Sequence, residues 1–252
     1  MKKKLLTKNE FLKLNINTSK NLFLKKEIFN LYKKFLISTL NKRIAHQTKW
    51  LGEPILQLPQ DLFIFQELIF ENKPDYIIEL GVAWSGSLLY YSSIFNIIGG
   101  KKIIGIDTYI PSQIQKRINK FKKIKNFIKL LNGFSTDEQI IKKISKLTKN
   151  SKKIIIHLDS DHSKKNVLNE LNKYSRLLKK GSIIICGDTH VEFFKNNPHG
   201  KNKDYRKGNN SMNALNIFLK SKEGKKYKQD LSYQDRYLLT LNPFGILKKI
   251  KN

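Results

Sequence analysis

The chain is poor in several residue types, and each shortage excludes something. One cysteine, Cys186, in 252 residues rules out an internal disulfide, and no Cys/His cluster has zinc-binding spacing. That usage fits a reducing, cytoplasmic location. No run approaches the ~18 apolar residues needed to cross a bilayer. The first residues, Met1 to Lys4 followed by Leu5-Leu6, turn polar at once and lack the apolar core and cleavage site of a secretory signal. Acidic residues are also scarce, at 20 Asp and Glu against 49 Lys and Arg, a formal net charge of +29. A charge of that size attracts polyanions in a salt-dependent way. The lysines, however, are spread among Asn and Ile residues and do not interleave with aromatics in a nucleic-acid motif, so no dedicated nucleic-acid site is expected. A small-molecule or glycan acceptor, itself anionic or not, fits better. Peripheral membrane contact and homo-oligomerisation stay open as partner classes.

What is present supports a packed enzyme-sized domain. Apolar residues make up 40% of the chain and aromatics 11%, which excludes a wholly disordered chain. Residues 1–48 read as a Lys-rich helical extension, with Leu24, Ile28, Leu31 and Phe35 at helical spacing, suited to packing or oligomerisation. Residues 49–252 form the main domain. It begins with a loop and a helix whose apolar face is Phe63, Ile64, Leu68 and Ile69. Short apolar runs then follow at 76–80, 102–106, 127–131, 153–158 and 182–186. Helical segments at 86–97, 113–122, 137–148 and 164–178 separate them. Strands alternating with helices predict an α/β fold, doubly wound and mostly parallel. Residues 189–210 read as a polar loop, 212–220 as a helix, and 236–241 as a late strand before Asn242-Pro243-Phe244-Gly245.

Chemistry gathers at the strand ends. The first strand closes in Glu79-Leu80-Gly81, with Gly86 and Ser87 opening the next helix. Gly81 and Gly86 permit close approach of a ligand, and Ser85 or Ser87 could cap the helix. Asp107 ends the second strand 26 residues after Gly81, placed to accept from both hydroxyls of a ribose. The pattern E-x-G-x4-G is neither the G-x-G-x-x-G of dinucleotide folds nor a phosphate-cradling P-loop. It is compatible with a nucleoside lacking phosphate, namely S-adenosylmethionine. Leu158-Asp159-Ser160-Asp161-His162 ends the fourth strand and Gly187-Asp188-Thr189-His190 the fifth. Neighbouring parallel strands end side by side, so these acids should converge. Converging carboxylates repel unless a proton or a cation lies between them, and oxygen donors suit Mg2+. Capping of the following helix accounts for one of these acids.

At these motifs the sequence resembles the cephalosporin hydroxylase-type family, class I methyltransferases that include rhamnosyl O-methyltransferases and are similar to macrolide-sugar O-methyltransferases. The resemblance runs from Trp50-Leu51-Gly52 and Leu58-Pro59-Gln60-Asp61 through Pro74–Val82, Gly105-Ile106-Asp107 and Gly133-Phe134-Ser135-Thr136-Asp137. It continues through the Asp159 and Asp188 clusters, Gly208-Asn209-Asn210 and Asn242–Gly245. It implies a Rossmann-like methyltransferase sheet and an S-adenosylmethionine-dependent O-methyltransferase acting on a sugar, glycan or secondary-metabolite hydroxyl. Glu79, Gly81, Ser87, Asp107 and Ser135 would then serve the cofactor. Asp159 and Asp188 would bind the cation, with Asp161 a substitute where Gly187 replaces the family's Glu. His162, three residues after Asp159, would be the base, with His190 the runner-up. A divalent cation lowers the pKa of a coordinated hydroxyl, and a neutral imidazole can take its proton. The loop cations Lys195, Lys201, Lys203, Arg206 and Lys207, with His199, would suit an anionic acceptor. The competing reading is a basic polyanion-binding protein on an inactive methyltransferase scaffold.

Overall fold

The computed structural model of the chain describes residues 5–195 and 205–252. Two helices open it, α1 (Lys8–Ser19) and α2 (Lys26–Thr39), then a small hairpin of β1 (Lys49–Trp50) and β2 (Glu53–Pro54). The main domain alternates α3 (Pro59–Asn72), β3 (Tyr76–Leu80), α4 (Gly86–Ile98), β4 (Lys102–Asp107), α5 (Ser112–Lys120), β5 (Ile128–Asn132), α6 (Glu138–Thr148), β6 (Ile154–Leu158), α7 (Lys164–Tyr174) and β7 (Ile183–Cys186). It finishes with α8 (Ser211–Lys220), β8 (Tyr227–Gln229), α9 (Ser232–Tyr237) and β9 (Ile246–Lys249).

One seven-stranded sheet has the order β5-β4-β3-β6-β7-β9-β8. The strands from β5 across to β7 are parallel, and β9 and β8 join antiparallel at the far edge. This is the doubly wound α/β fold expected. The chain runs outward from β3 to β5, then returns to β6 beside β3. The switch point, where such sheets open a crevice at their carboxyl ends, therefore lies between β3 and β6. Ile-rich strands bury both faces: β6 is buried at all five positions and β7 at all four. Each fully buried Ile or Leu contributes about 1.5–3 kcal/mol of transfer free energy. One core cluster lies under α6, α7 and α8, and the other under α3 and α4.

Two sequence expectations need correction. Residues 236–241 are not a strand, because Arg236 and Tyr237 end α9 and Leu238 then turns with φ 59°. Buried Asp235 fixes that helix by accepting from the Asn21 and Phe23 amides, so a tertiary contact overrides a short apolar pattern. The late strands are instead β8 and β9, of which β8 was not foreseen. In the extension the helical period is as expected, and the structure shows which stripe packs inward. The expected stripe faces outward, with Leu31 57% and Phe35 38% exposed, while Tyr32 and Leu36 are the buried face. Two apolar stripes lie side by side on α2, and periodicity alone does not say which one packs. Similarly, Phe63 of α3 is exposed while Ile64, Leu68 and Ile69 are buried. The extension shares a cluster with the main domain, since Phe23, Tyr32, Leu36 and Leu40 pack with Leu58, Phe194 and Leu241.

Candidate functional site

The turn from β3 into α4 is strained in a directed way. Gly81, Ala83 and Ser85 all have positive φ (92°, 44° and 66°), which costs non-glycine residues free energy that surrounding contacts must offset. At Gly81 no other residue fits, because a Cβ would lie 2.2 Å from the Asp159 carbonyl oxygen. Asp107 secures the turn. Its Oδ2 accepts from the Val82 amide at 2.8 Å and the Ala83 amide at 3.3 Å, and its Oδ1 accepts from the Tyr109 amide at 3.1 Å. Neither serine caps α4: Ser85 makes no side-chain cap bond, and the Ser87 hydroxyl donates to Glu79 Oε2 at 2.7 Å.

Glu79 is not where the sequence reading put it. It is 1% exposed, behind the cavity wall rather than on it. It faces His157, its register partner on β6, with Oε1 3.4 Å from Nδ1. Burial raises the Glu79 carboxyl above the usual carboxylate range. Burial works to lower the His157 pKa, but Asp159 and Glu79 outweigh it and the net shift is upward. The pair is an internal anchor between the two strands at the switch point. The sequence carried the signal, since Glu79 stands two residues before Gly81 and His157 two before Asp159.

Gly81, Asp107, Ser135, Asp159, His162 and Asp188 line one cavity of about 1180 Å³ at the carboxyl ends of the strands, and Ser87 also borders it. Within it Asp159, His162 and Asp188 come together. His162 Nε2 is 3.4 Å from Asp188 Oδ2 and 3.9 Å from Asp159 Oδ1, and one ligand atom from each residue lies within 4.8 Å of the others. Two carboxylates and an imidazole lining one cavity match the donor set of a divalent cation. His162 Nδ1 is buried without a hydrogen-bond partner among the described residues, so the ring is oriented by its Nε2 side. Asp161 does not join this group. Its oxygens take the Ser163 amide at 2.9 Å and hydroxyl at 3.0 Å, and Ser163 is the residue that caps α7. At Gly187, where the resemblance expects Glu, even a Cβ would lie 2.8 Å from Asp159 Oδ1. His162 is the third member of the group that could hold an ion, beside Asp159 and Asp188.

A polar layer behind these carboxylates was missed in the sequence. Gln57 Nε2 donates to Asp159 Oδ2 at 3.1 Å. Asn242 Oδ1 accepts from the Asp188 amide at 3.0 Å, and Asn242 Nδ2 donates to Gln57 Oε1 at 3.3 Å. Gln57 adjoins one motif already singled out, Leu58–Asp61, and Asn242 opens another, Asn242–Gly245. Asp61, wholly buried beneath them, is pushed up by burial to about 7, against hydrogen bonds from Thr240, Leu241 and Leu58 that pull it down. Glu170 was also unforeseen; it is buried, raised by that burial, and accepts from the Ser135 hydroxyl at 2.5 Å and the Ser160 hydroxyl at 2.6 Å.

His190 lies off the cavity wall, fully buried, its Nδ1 2.8 Å from the Leu241 carbonyl oxygen. Trp84 is half-exposed at the wall with the Arg117 guanidinium 5.4 Å from its ring. Arg43, His46 and Tyr205 complete the outer rim, and the Tyr205 ring meets His162 edge-on at 5.2 Å. The expected polar loop starts instead as a short 3-10 helix, Thr189–Phe193. Of its basic residues Lys195, Arg206 and Lys207 are exposed, while His199, Lys201 and Lys203 lie outside the described residues.

Known proteins share both sequence and fold with this chain. Rhamnosyl O-methyltransferases of Mycobacterium tuberculosis and Mycobacterium leprae are each 27% identical, over 147 and 150 residues. These alignments cover 58% and 59% of this chain and 58% and 63% of the relatives, so the chain matches about three fifths of their length. Among solved structures, an apo form of CmcI superposes with a TM-score of 0.58 at 20% identity, covering 82% of this chain and 78% of that one. CmcI with Mg and SAM gives 0.54 at 19% identity, covering 81% and 77%. A structure described as a putative caffeoyl-CoA O-methyltransferase from Staphylococcus aureus gives 0.56 at 20% identity, covering 88% and 100%. The family model for rhamnosyl O-methyltransferase/CmcI matches residues 42–250, and the chain therefore belongs to that family of O-methyltransferases.

Proposed function

We propose that this protein transfers a methyl group from S-adenosylmethionine to a hydroxyl of a sugar or glycan-like acceptor, assisted by a divalent cation. The observation that carries the reading is the meeting of Asp159, His162 and Asp188 in the same cavity that holds the Gly81 turn and Asp107. A related structure with Mg and SAM and the rhamnosyl specificity in the relatives' names support it.

Each residue then has a definite task. Gly81 lets the backbone approach the methionyl part of the donor. Asp107, already fixed by the turn amides, presents its carboxylate at the wall for the ribose, and Ser135 stands further along. Asp159, Asp188 and His162 Nε2 would hold the cation, with Gln57 and Asn242 setting the two carboxylates. The cation, when bound, supplies Lewis acidity that favours the alkoxide form of a coordinated hydroxyl. In the transfer a C–O bond forms as the S–CH3 bond breaks, the sulfonium becomes a neutral thioether, and the hydroxyl proton passes to solvent at the mouth of the cavity. The sulfonium is already electrophilic, so the protein's main contribution is alignment. The direction of Nε2 toward both carboxylates favours His162 as a ligand over its expected role as a free-standing base.

Calorimetry with S-adenosylmethionine and with Mg2+ tests this. Wild type should bind both, Asp107→Ala should lose the donor while keeping Mg2+, and Asp188→Asn should lose Mg2+ while keeping the donor. No heat with the donor would defeat the enzyme reading. Tight, steeply salt-dependent oligonucleotide binding in its place would establish the polyanion-binding scaffold.

A further inference from the structure

A second cleft, of about 760 Å³, opens at the opposite end of the sheet. Its walls are the turn 150–152 before β6, the segment 176–180 before β7, Glu223 and Lys226 before β8, and Lys249 at the end of β9. The five residues of β6 separate it from Asp159, roughly 15 Å at ~3.3 Å per residue, so it is no part of the methyl-transfer cavity.

Six cationic residues line this cleft with one acidic residue, Glu223, and with Asn252, whose Oδ1 accepts from the Lys180 amide. Glu223 is already engaged, with Oε2 3.1 Å from Lys226 Nζ and Oε1 3.0 Å from Lys249 Nζ. Lys249 is only 3% exposed, and its amine also donates to the Ser175 carbonyl at 3.0 Å. The Lys179 amine donates to the Ser151 carbonyl at 2.8 Å. The carbonyls of Ser151, past the end of α6, and of Ser175, at the end of α7, thus account for Lys179 and Lys249. They do not account for Lys152, Arg176 and Lys180, which carry no ion pair among the described residues and still line the same concavity. Like charges gathered around a cleft repel each other unless an anion lies among them. No aromatic side chain lines it among the described residues, so nothing offers a platform for stacking bases. A guanidinium fork beside several ammonium groups matches phosphate oxygens instead, and the volume falls in the range of small-ligand sites.

We propose that this cleft binds a compact polyphosphate anion, of the class of pyrophosphate or tripolyphosphate, free or as the phosphate part of a small metabolite. The test is calorimetry on the full chain with tripolyphosphate at about 0.15 M salt, where scattered surface charge is screened beyond about 8 Å. Arg176→Ala with Lys180→Ala should weaken a single saturable site about tenfold or more, a loss of ~1.4 kcal/mol or more. Lys142→Ala with Lys143→Ala, the same charge change on exposed positions of α6, should alter it by less than about twofold. Adenosine triphosphate binding with the same variant sensitivity would assign the metabolite form, and binding of tripolyphosphate alone the free anion. Equal losses in both double variants would overturn the proposal, as would the absence of saturable heat or displacement of the anion by S-adenosylmethionine. A single-stranded oligonucleotide binding there more tightly than tripolyphosphate would also overturn it.

Discussion

At the scale of single residues, the site depends on a few atoms that have no substitute. Gly81→Ala would drive a Cβ into the Asp159 carbonyl while holding φ at 92°, so both the donor turn and the cation carboxylate would shift. The expected outcome is loss of donor binding together with weakened Mg2+ binding, both read by calorimetry. Gln57→Ala leaves the fold intact but frees Asp159 Oδ2. Outer hydrogen bonds of this kind typically tune metal affinity by about 10–100-fold, and Mg2+ titration should show a loss in that range. Asp61 carries a pH dependence. Burial pushes its pKa up to about 7 in the folded protein from the ordinary aspartate value of 3.8, so the folded state holds this proton more tightly. The resulting stability is complete below pH ~4 and is lost as pH rises through ~7, by on the order of 4 kcal/mol for a fully buried group. Melting temperature followed from pH 4 to 8 should fall from this cause in wild type and fall less in Asp61→Asn.

At the scale of elements, the extension is a packed layer whose two faces differ. Leu36 on α2 is fully buried among Tyr32, Leu40 and Leu58, and Leu36→Ala should cost ~2–5 kcal/mol in a urea titration. Leu31→Lys on the outward stripe should change stability by less than about 0.5 kcal/mol. That contrast also shows what the sequence can reveal. Strand and helix order in the parallel half was legible, because buried Ile runs and amphipathic segments of helical length differ in both length and period. So were Gly81, Asp107, Asp159, Asp188 and His162, since strand-end position in a parallel sheet predicts convergence. The phase of α2 was not legible, because both stripes are apolar. Glu79 was misplaced because a strand-end acid can turn to the next strand as well as to a ligand, and here His157 was waiting one strand over. Gln57 and Asn242 were hidden for another reason. Gln57 reaches Asp159 across 102 residues of sequence and Asn242 reaches Asp188 across 54, and no local pattern reports a contact that only the folded chain creates.

At the scale of the whole molecule, the sheet separates charge along its strands. Acids gather at the carboxyl ends around the donor cavity, while at the amino ends of β6 and β7 the cations gather almost alone. Ligands that bind only the folded form raise stability by mass action, about 2.7 kcal/mol at one hundred times Kd. S-adenosylmethionine should therefore raise the melting temperature of wild type and leave that of Asp107→Ala unchanged. Among the described residues no helix is long and apolar enough to cross a membrane, and the formal net charge of the chain is +29.

Asn242 holds the Asp188 amide and, through Gln57, the Asp159 carboxylate, and it stands just before the antiparallel strand that closes against β7. During synthesis the ribosome would have released every strand of the parallel half well before this residue emerged. A growing chain could thus hold a formed α/β half while its two metal-facing acids still lacked their brace. Competence for the reaction would arrive late, since a chain stopped short of residue 242 would lack the Asn242 brace on these acids.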